Sequence, residues 1–192
     1  QAKKSVAVQK LLCLLEERQA DILIDLSFYE YLTKDLLLDV PYTQLITGND
    51  FTADVVVSLG GDGTFLEAAS RVGSKQIPVL GINMGRMGFL ADVTADEIDE
   101  AIEAIYNDAI EVEQRSVLHV EYSQGQPGVH PYALNEVAIL KHDNSSLIEV
   151  ETHVDGQLLT NYIADGLIIS TVGQIPLGQA IGPLTEVYLS CS

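Results

Sequence analysis

Residues 55–67 read VVVSLGGDGTFLE, and this stretch decides the fold. Its β-branched run predicts a short buried strand. Three glycines and one aspartate then form a turn, and apolar residues at helical spacing follow from Thr64. The run IPVLGIN at 77–83 predicts the next strand. Strand, helix and strand at this spacing form a βαβ unit, so we expect a parallel sheet covered by helices on both faces.

The glycine turn lies at the carboxyl end of a strand, which is where ligands bind in an α/β sheet. Glycines let a phosphate approach the backbone, and the N–H groups that open the following helix point at it. Asp62 repels phosphate and is better suited to act as a base or a metal contact. The turn lacks the lysine of GxxxxGK[ST] and the spacing of GxGxxG, so it is a third kind of phosphate-binding turn.

The composition excludes several classes of protein. Lys and Arg number 10 against 28 Asp and Glu, a formal net charge of −18, whereas nucleic acids and anionic membranes require a basic face. No apolar run approaches the ~20 residues of a membrane span, and no signal pattern precedes the first helix. Cys13 and Cys191 do not have disulfide or zinc spacing. We therefore expect a soluble, cytoplasmic protein.

The rest of the N-terminal half alternates helical and extended patterns. They predict, in order, a helix capped by Ser5, a strand at 22–24, partly helical structure at 27–38 and mostly loop at 39–52. Thr94, with Glu97 three residues later, forms a capping-box signature and predicts a further helix.

Beyond Arg115 the periodicity changes from helical to alternating. It predicts strands at 117–122, 132–141, 147–154, 157–163 and 166–171. Asp155-Gly156 is a hairpin signal. Consecutive strands without helices indicate an antiparallel domain. The sequence thus predicts a Rossmann-like parallel α/β domain at 1–110, followed by a β-rich, sandwich-like domain at 111–192.

Three polar sites have both a functional and a structural interpretation. Asn135 and Glu136 are adjacent in an apolar strand, so we expect one of them to face inward and to bind either a ligand or local backbone. Asp165 is either a turn residue or a ligand contact, and the turn is the commoner case. Asp62 either caps the helix or takes a proton from an attacking hydroxyl, directly or through Mg²⁺.

Four segments resemble those of NAD kinases in order and approximate spacing: GGDGT at 60–64, GINMGRMGFLAD at 81–92, NEV at 135–137 and DGLIIST at 165–171. The glycine turn alone is shared with lipid kinases and phosphofructokinases, whereas the other three segments make the resemblance specific. It implies an α/β N-terminal domain, a β-rich C-terminal domain, and assembly into homodimers or homotetramers.

The resemblance also implies the reaction. The family uses ATP to phosphorylate the 2′-hydroxyl of the adenosine ribose of NAD⁺, which gives NADP⁺ and ADP. Asp62 would accept the hydroxyl proton, with Gly63 in the same contact. Gly60, Gly61, Gly63 and Thr64 would bind the ATP phosphates. Mg²⁺ would be held mainly by those phosphates, as this hard ion often is, and we assign it no protein ligand.

On the NAD side, the resemblance implies four contacts. Phe89 matches an aromatic residue that packs against the dinucleotide. Asn135 and Glu136 match a pair that contacts NAD, and Asp165 matches an acid near its nicotinamide end. Two other functions fit the glycine turn: another kinase, acting on a lipid or a sugar, and a nucleotide-binding protein without catalysis.

The sequence departs from the family pattern after Thr171. Such kinases continue with PTGSTAY, a loop that lines the adenine pocket, whereas VGQIP stands at 172–176. We expect that residues 171 and 172 are not neighbours in the natural polypeptide and that the second domain is incomplete here. An intact mass near 20.8 kDa would contradict that expectation.

Overall fold

The computed structural model describes residues 2–85, 88–121, 123, 130–142, 146–171 and 187–191. The predicted departure after Thr171 therefore lies outside the described residues. Contacts divide the chain into two compact units, Gln1–Arg115 with Glu121–Tyr132, and Ser116–Val120 with Ala133–Ser192. We call them the first and the second unit. The domain bounds 1–110 and 111–192 stay a prediction.

The first unit is built of helices and parallel strands, as the sequence predicts. Its α-helices are α1 (Ala2–Glu17), α2 (Leu26–Glu30), α3 (Asp62–Val72) and α4 (Ile98–Tyr106). A π-helix spans Tyr31–Asp35, and 3₁₀ turns span Gly73–Lys75 and Ala95–Glu97. The strands are β1 (Leu23–Asp25), β2 (Gln44–Ile46), β3 (Val56–Gly60), β4 (Val79–Asn83) and β5 (Val93–Thr94). No helix in the described ranges is both long and apolar enough to cross a membrane.

The described chain after Arg115 is rich in strands, and the pairs whose register is given below are antiparallel. Among the described residues, β6 (Leu118–His119), β7 (Tyr132–Ala133), β8 (Glu136–Leu140), β9 (Ile148–Val154), β10 (Gln157–Ala164), β11 (Gly166–Ser170) and β12 (Val187–Cys191) follow in order. One sheet has the order β10-β9-β12, and β11 pairs with β8 in another. Asp155 and Gly156 have φ values of 49° and 76°, which is the left-handed pair of a type I′ hairpin turn.

The βαβ unit predicted from residues 55–83 is confirmed. β3 and β4 are parallel, and α3 connects them. Their register pairs Gly60 with Asn83, so the carboxyl ends of both strands meet at one edge of the sheet. The loops that follow the two strands therefore start side by side.

Helix α1 is fixed by two apolar clusters. Val8 and Leu12 pack with Ile24 and Leu32, whereas Ala7 and Leu11 pack with a second group that contains Ile82 and Ile98. Adjacent helical positions such as 7 and 8 diverge by about 100°, so the helix presents a wide apolar stripe to both groups. Each fully buried Leu or Ile side chain contributes about 1.5–3 kcal/mol to folding.

Several element boundaries differ from the prediction. The cap predicted at Ser5 is wrong because Ala2, Lys3 and Lys4 are good helix formers and extend α1 beyond it. Helix α3 begins at Asp62 rather than Thr64, since an acidic residue is favourable in a first turn.

The segment predicted as loop at 39–52 contains the short strand β2, which pairs in parallel with β1. That pairing partner is distant in sequence, so local periodicity does not reveal it. The capping box is confirmed: Thr94 donates its N–H and its hydroxyl to Oε2 of Glu97, at 2.8 and 2.7 Å.

Asp25 connects the end of β1 to helix α3. Its Oδ1 accepts the N–H groups of Ser27 and Phe28, at 2.9 and 3.1 Å, and so caps α2. Its Oδ2 accepts Nη1 of Arg71 at 2.7 Å, and Arg71 also donates to the carbonyl of Gly48. Desolvation alone would raise the pKa of Asp25, but the hydrogen bonds from Ser27, Arg71 and Phe28 outweigh it and lower that pKa.

We predict that Asp25→Ala lowers the free energy of unfolding by about 2 kcal/mol, because it removes both a helix cap and a charged hydrogen bond. Asp25→Asn keeps a capping oxygen and should cost less. The folded pKa of Asp25 lies below its unfolded value, so its stabilisation is present above about pH 4 and is lost as the pH falls through the folded pKa. Denaturant titrations at neutral and acidic pH measure this, and an Asp25→Asn deficit that does not shrink in acid would contradict it.

Candidate active site

A cleft of about 530 Å³ opens at the carboxyl edge of β3 and β4. Gly60, Gly61 and Thr64 form part of its lining, and apolar side chains that include Phe28 and Tyr31 form another part. The N–H of Met84 donates to the carbonyl of Gly60 at 3.0 Å, which extends the β3–β4 pairing to the start of both loops. The cleft therefore lies where the topology of the sheet places a ligand.

The glycine turn leaves backbone donors available at the start of α3. Gly61 is the extended N-cap, with φ −111° and ψ −166°, and the N–H of Phe65 makes an intrahelical bond to its carbonyl at 3.1 Å. The N–H groups of the three residues between them belong to the first turn, which has no intrahelical acceptor. A Cβ atom at Gly61 or Gly63 would meet nothing within 4 Å, so the backbone there is open to a ligand.

Gly60 has a different role from the other two glycines. A Cβ atom on it would lie 2.7 Å from Cβ of Thr64, so the side chain of Thr64 packs directly over this residue. The turn thus needs a glycine at Gly60 for close packing and has glycines at 61 and 63 where the surface is open.

Asp62 bridges the two loops at this edge. Its Oδ2 accepts the N–H of Phe89 at 2.9 Å, and its Oδ1 accepts the N–H groups of Leu90 and Ala91 at 3.0 and 3.4 Å. The bonds from Phe89 and Leu90 are the main causes that lower the pKa of Asp62, and they outweigh desolvation, which raises it. Asp62 is therefore ionised at neutral pH and fixed in orientation.

This environment determines what Asp62 can do chemically. A carboxylate has about four acceptor positions, and the loop after β4 occupies three of them, so one remains for a further donor. Its lowered pKa makes it a weak proton acceptor. The arrangement therefore favours orientation of a bound hydroxyl over strong general-base catalysis.

Sequence patterns did not identify the backbone donors to Asp62. Leu90 and Ala91 contribute main-chain N–H groups, and the only signal was their position in GINMGRMGFLAD, directly after Gly88. Phe89 lies in the same loop with 94% of its surface exposed. Its N–H holds Asp62 while its ring faces solvent.

The second unit carries the remaining predicted residues. The expectation that Asn135 or Glu136 faces inward is wrong, because both are exposed. Leu134 takes the buried position instead, and the predicted strand at 132–141 is interrupted between β7 and β8. The carbonyl of Asn135 accepts the N–H of Thr171 at 2.8 Å, and the Thr171 hydroxyl donates to the carbonyl of Leu134 at 2.8 Å.

Asp165 lies between β10 and β11, and its carboxylate pairs with Nζ of Lys141 at 2.5 Å. The register of β8 and β11 pairs Glu136 with Ser170 and Leu140 with Gly166. Asn135 lies opposite Thr171 and Asp165 opposite Lys141, so Asn135 and Asp165 are at opposite ends of this strand pair, roughly 20 Å apart at about 3.4 Å per residue. The structure brings Asn135 and Thr171 together but does not bring Asp165 to the same end.

Protein ligands for a metal are not apparent in the part of the chain that the structure describes. No group of three or more His, Cys, Asp or Glu side chains there could hold an ion. Asp62 is a single carboxylate that is already engaged by main-chain donors.

Comparison with known proteins finds similarity to a single family. The model of the ATP-NAD kinase N-terminal domain matches residues 9–110. The NAD kinase of Bacteroides fragilis is 52% identical over 171 residues, which cover 89% of this chain and 59% of that protein. The NAD kinase of Cytophaga hutchinsonii is 37% identical over 186 residues, or 96% of this chain and 61% of that protein. The chain thus spans about three fifths of the length of these curated relatives.

Solved structures show the same fold. The crystal structure of yeast NADH kinase with NADH matches this chain with a TM-score of 0.70 at 22% sequence identity. The match covers 88% of this chain and 54% of the yeast chain. An NAD kinase from Archaeoglobus fulgidus, in complex with ATP, has a TM-score of 0.50 at 27% identity and covers 78% of this chain and 59% of its own. These neighbours confirm an α/β part followed by a β-rich part.

We predict that Phe89→Ala changes the free energy of unfolding by no more than about 0.5 kcal/mol, because the exposed ring has little packing to lose. The thermal midpoint should therefore stay almost the same. Phe65 is the matched control, since its ring packs against Gly81 in β4. Phe65→Ala should destabilise by roughly 2 kcal/mol, less than a fully buried phenylalanine. Thermal melts of both variants check the contrast, and equal losses would contradict it.

Proposed function

The chain belongs to the NAD kinase family, and from that membership we propose that it transfers the terminal phosphoryl group of ATP to the 2′-hydroxyl of the adenosine ribose of NAD⁺. The observation that carries the proposal is the Asp62 carboxylate, held by main-chain donors within an open phosphate turn. The relatives named above are NAD or NADH kinases, and none of them favours a lipid kinase, a sugar kinase or a protein without catalysis.

In this proposal the glycine turn binds the phosphoryl donor, ATP. We place the ATP phosphates against the free N–H groups at the start of α3, where the helix dipole and the missing side chains of Gly61 and Gly63 favour an anion. These neutral donors matter in a chain with a net charge of −18, because that charge repels polyphosphate. The Archaeoglobus fulgidus relative was crystallised with ATP, which supports ATP as the donor.

Mg²⁺ enters the proposal with the nucleotide. Because the described residues offer no cluster of ligands, we place the ion on the phosphates, with most of its remaining ligands being water. When bound, it neutralises charge on the transferred group.

Asp62 serves the acceptor. The 2′-oxygen bonds to the γ-phosphorus, the bond from that phosphorus to the ADP oxygen breaks, and the hydroxyl proton passes to Asp62. Phosphoryl transfer has a loose transition state in most analyses, so it demands alignment more than a strong base. A carboxylate with a lowered pKa and a fixed orientation suits that demand.

Four of the residues named in the sequence analysis are proposed to contact the dinucleotide. Phe89 packs against it, Asn135 and Glu136 bind it, and Asp165 lies near its nicotinamide end. The roughly 20 Å between Asn135 and Asp165 along the strand pair, by strand rise, suits a ligand bound in an extended form. The yeast relative was crystallised with NADH, which supports a dinucleotide as the acceptor.

The proposal also includes the cellular compartment and the oligomeric state of the protein. We infer a cytoplasmic protein that assembles into homodimers or homotetramers. The family resemblance supports the assembly, and the acidic charge agrees with partners that are small molecules rather than nucleic acid or membrane.

Incubation of the chain with ATP, Mg²⁺ and NAD⁺ should yield NADP⁺, measured by a dehydrogenase that uses only NADP⁺. Asp62→Asn should lower kcat by about 10²–10⁴-fold while NAD⁺ still binds, because an amide cannot take the hydroxyl proton and its NH₂ group cannot accept a main-chain N–H, so the alignment of the side chain is also lost. Asp50→Asn, which changes another aspartate outside the glycine turn, is the matched control. No NADP⁺ from the unsubstituted chain, or an Asp62→Asn variant as fast as the control, would contradict the proposal.

Phe89→Ala should weaken NAD⁺ binding by about 10-fold, because an aromatic ring stacked on a base is worth roughly 1–3 kcal/mol. Calorimetric titration with NAD⁺ measures the dissociation constant. Unchanged affinity would remove Phe89 from the proposed dinucleotide site.

A further inference from the structure

We propose that Gly81 and Gly88 are positioning residues for Asp62. In this proposal the two glycines let the backbone of residues 88–91 close over the carboxylate and hold it toward the acceptor hydroxyl. The proposal rests on the proposed function, since it concerns the same carboxylate. It assigns a role to two residues that are not among the proposed substrate contacts.

Gly88 faces the carboxylate directly. A Cβ atom on this residue would lie 2.6 Å from Cγ and 2.8 Å from Oδ2 of Asp62, closer than carbon atoms approach in folded proteins. The three atoms nearest to that position all belong to Asp62. The φ angle of Gly88 lies outside the left-handed region, so φ alone does not require a glycine there. A methyl group at Gly88 therefore acts on Asp62 rather than on the loop.

Gly81 acts on Asp62 indirectly, through Ala91, whose N–H is the third donor to the carboxylate. It lies in β4, and a Cβ atom on it would stand 2.8 Å from Cα of Ala91 and 2.7 Å from Cδ2 of Phe65. Ala91 is almost fully buried there, and its N–H donates to Oδ1 of Asp62. Phe65 belongs to α3, the helix that begins with Asp62. Any side chain at Gly81 would push apart the loop that donates and the helix that accepts.

Together the two glycines affect both the orientation and the pKa of the Asp62 side chain. Displacement of the carboxylate lengthens its bonds to Phe89 and Leu90, which are the bonds that lower the pKa of Asp62. A misplacement of about 1 Å at a reacting group costs on the order of 10²-fold in rate. Substitution at Gly88 should therefore raise the pKa of Asp62 and lower kcat together.

The test compares Gly88→Ala with Gly48→Ala in the 192-residue chain. Gly48 is a matched control, because a Cβ atom there meets nothing within 4 Å. Carbon-13 NMR follows the titration of the Asp62 carboxyl, assigned by its absence in Asp62→Asn. We expect an upward shift of the Asp62 pKa in Gly88→Ala and none in Gly48→Ala. In NADP⁺ formation, kcat of Gly88→Ala should fall by about 10²-fold, with KM for ATP nearly unchanged.

Gly81→Ala is the second variant, and it should shift the titration in the same direction through Ala91. An unshifted Asp62 titration in folded Gly88→Ala would overturn the proposal. Loss of folding in Gly88→Ala would also overturn it, because the added methyl should displace only the carboxylate. The titration requires no turnover, so an inactive unsubstituted chain would refute the proposed function while the positioning is still tested.

Discussion

The carboxylate of Asp62 and the three consecutive N–H groups of Phe89, Leu90 and Ala91 form the interaction on which the proposed site depends. Parallel pairing of β3 with β4 starts the two loops at the same edge. The hydrogen bonds then lock the loops to each other. Without them, the glycine turn would keep its open backbone but would lose the one charged group with a defined direction.

The same interaction reconciles a negative side chain with an anion site. The loop after β4 supplies the partial positive charge that stabilises the carboxylate, which leaves the N–H groups at the start of α3 for a phosphate. Under the proposed function, each set of main-chain donors has its own anionic partner. An acidic chain can in this way hold a polyphosphate with few basic residues.

Local patterns in the sequence predicted most of the fold. The strand, turn and helix around Gly61, the capping box at Thr94 and the hairpin at Asp155 each depend on neighbours within a few residues, and the structure confirms them. Strand β2 was missed because its partner β1 is about twenty residues away. The inward orientation expected near Asn135 failed because Leu134 takes the buried position. The candidate site shows the same difference between local and long-range features. The glycine turn and Asp62 are recognisable from a few consecutive residues, whereas the N–H donors from the loop after β4 reach Asp62 only through the folding of the chain.

The most direct test is a crystal structure of the unsubstituted chain with NAD⁺ bound, in which the distance from the Asp62 carboxylate to the 2′-oxygen of the adenosine ribose is measured. We expect a hydrogen bond of about 2.6–3.2 Å while the bonds to Phe89 and Leu90 persist. A carboxylate turned away from the ribose, or a ribose bound beyond hydrogen-bonding distance, would contradict it.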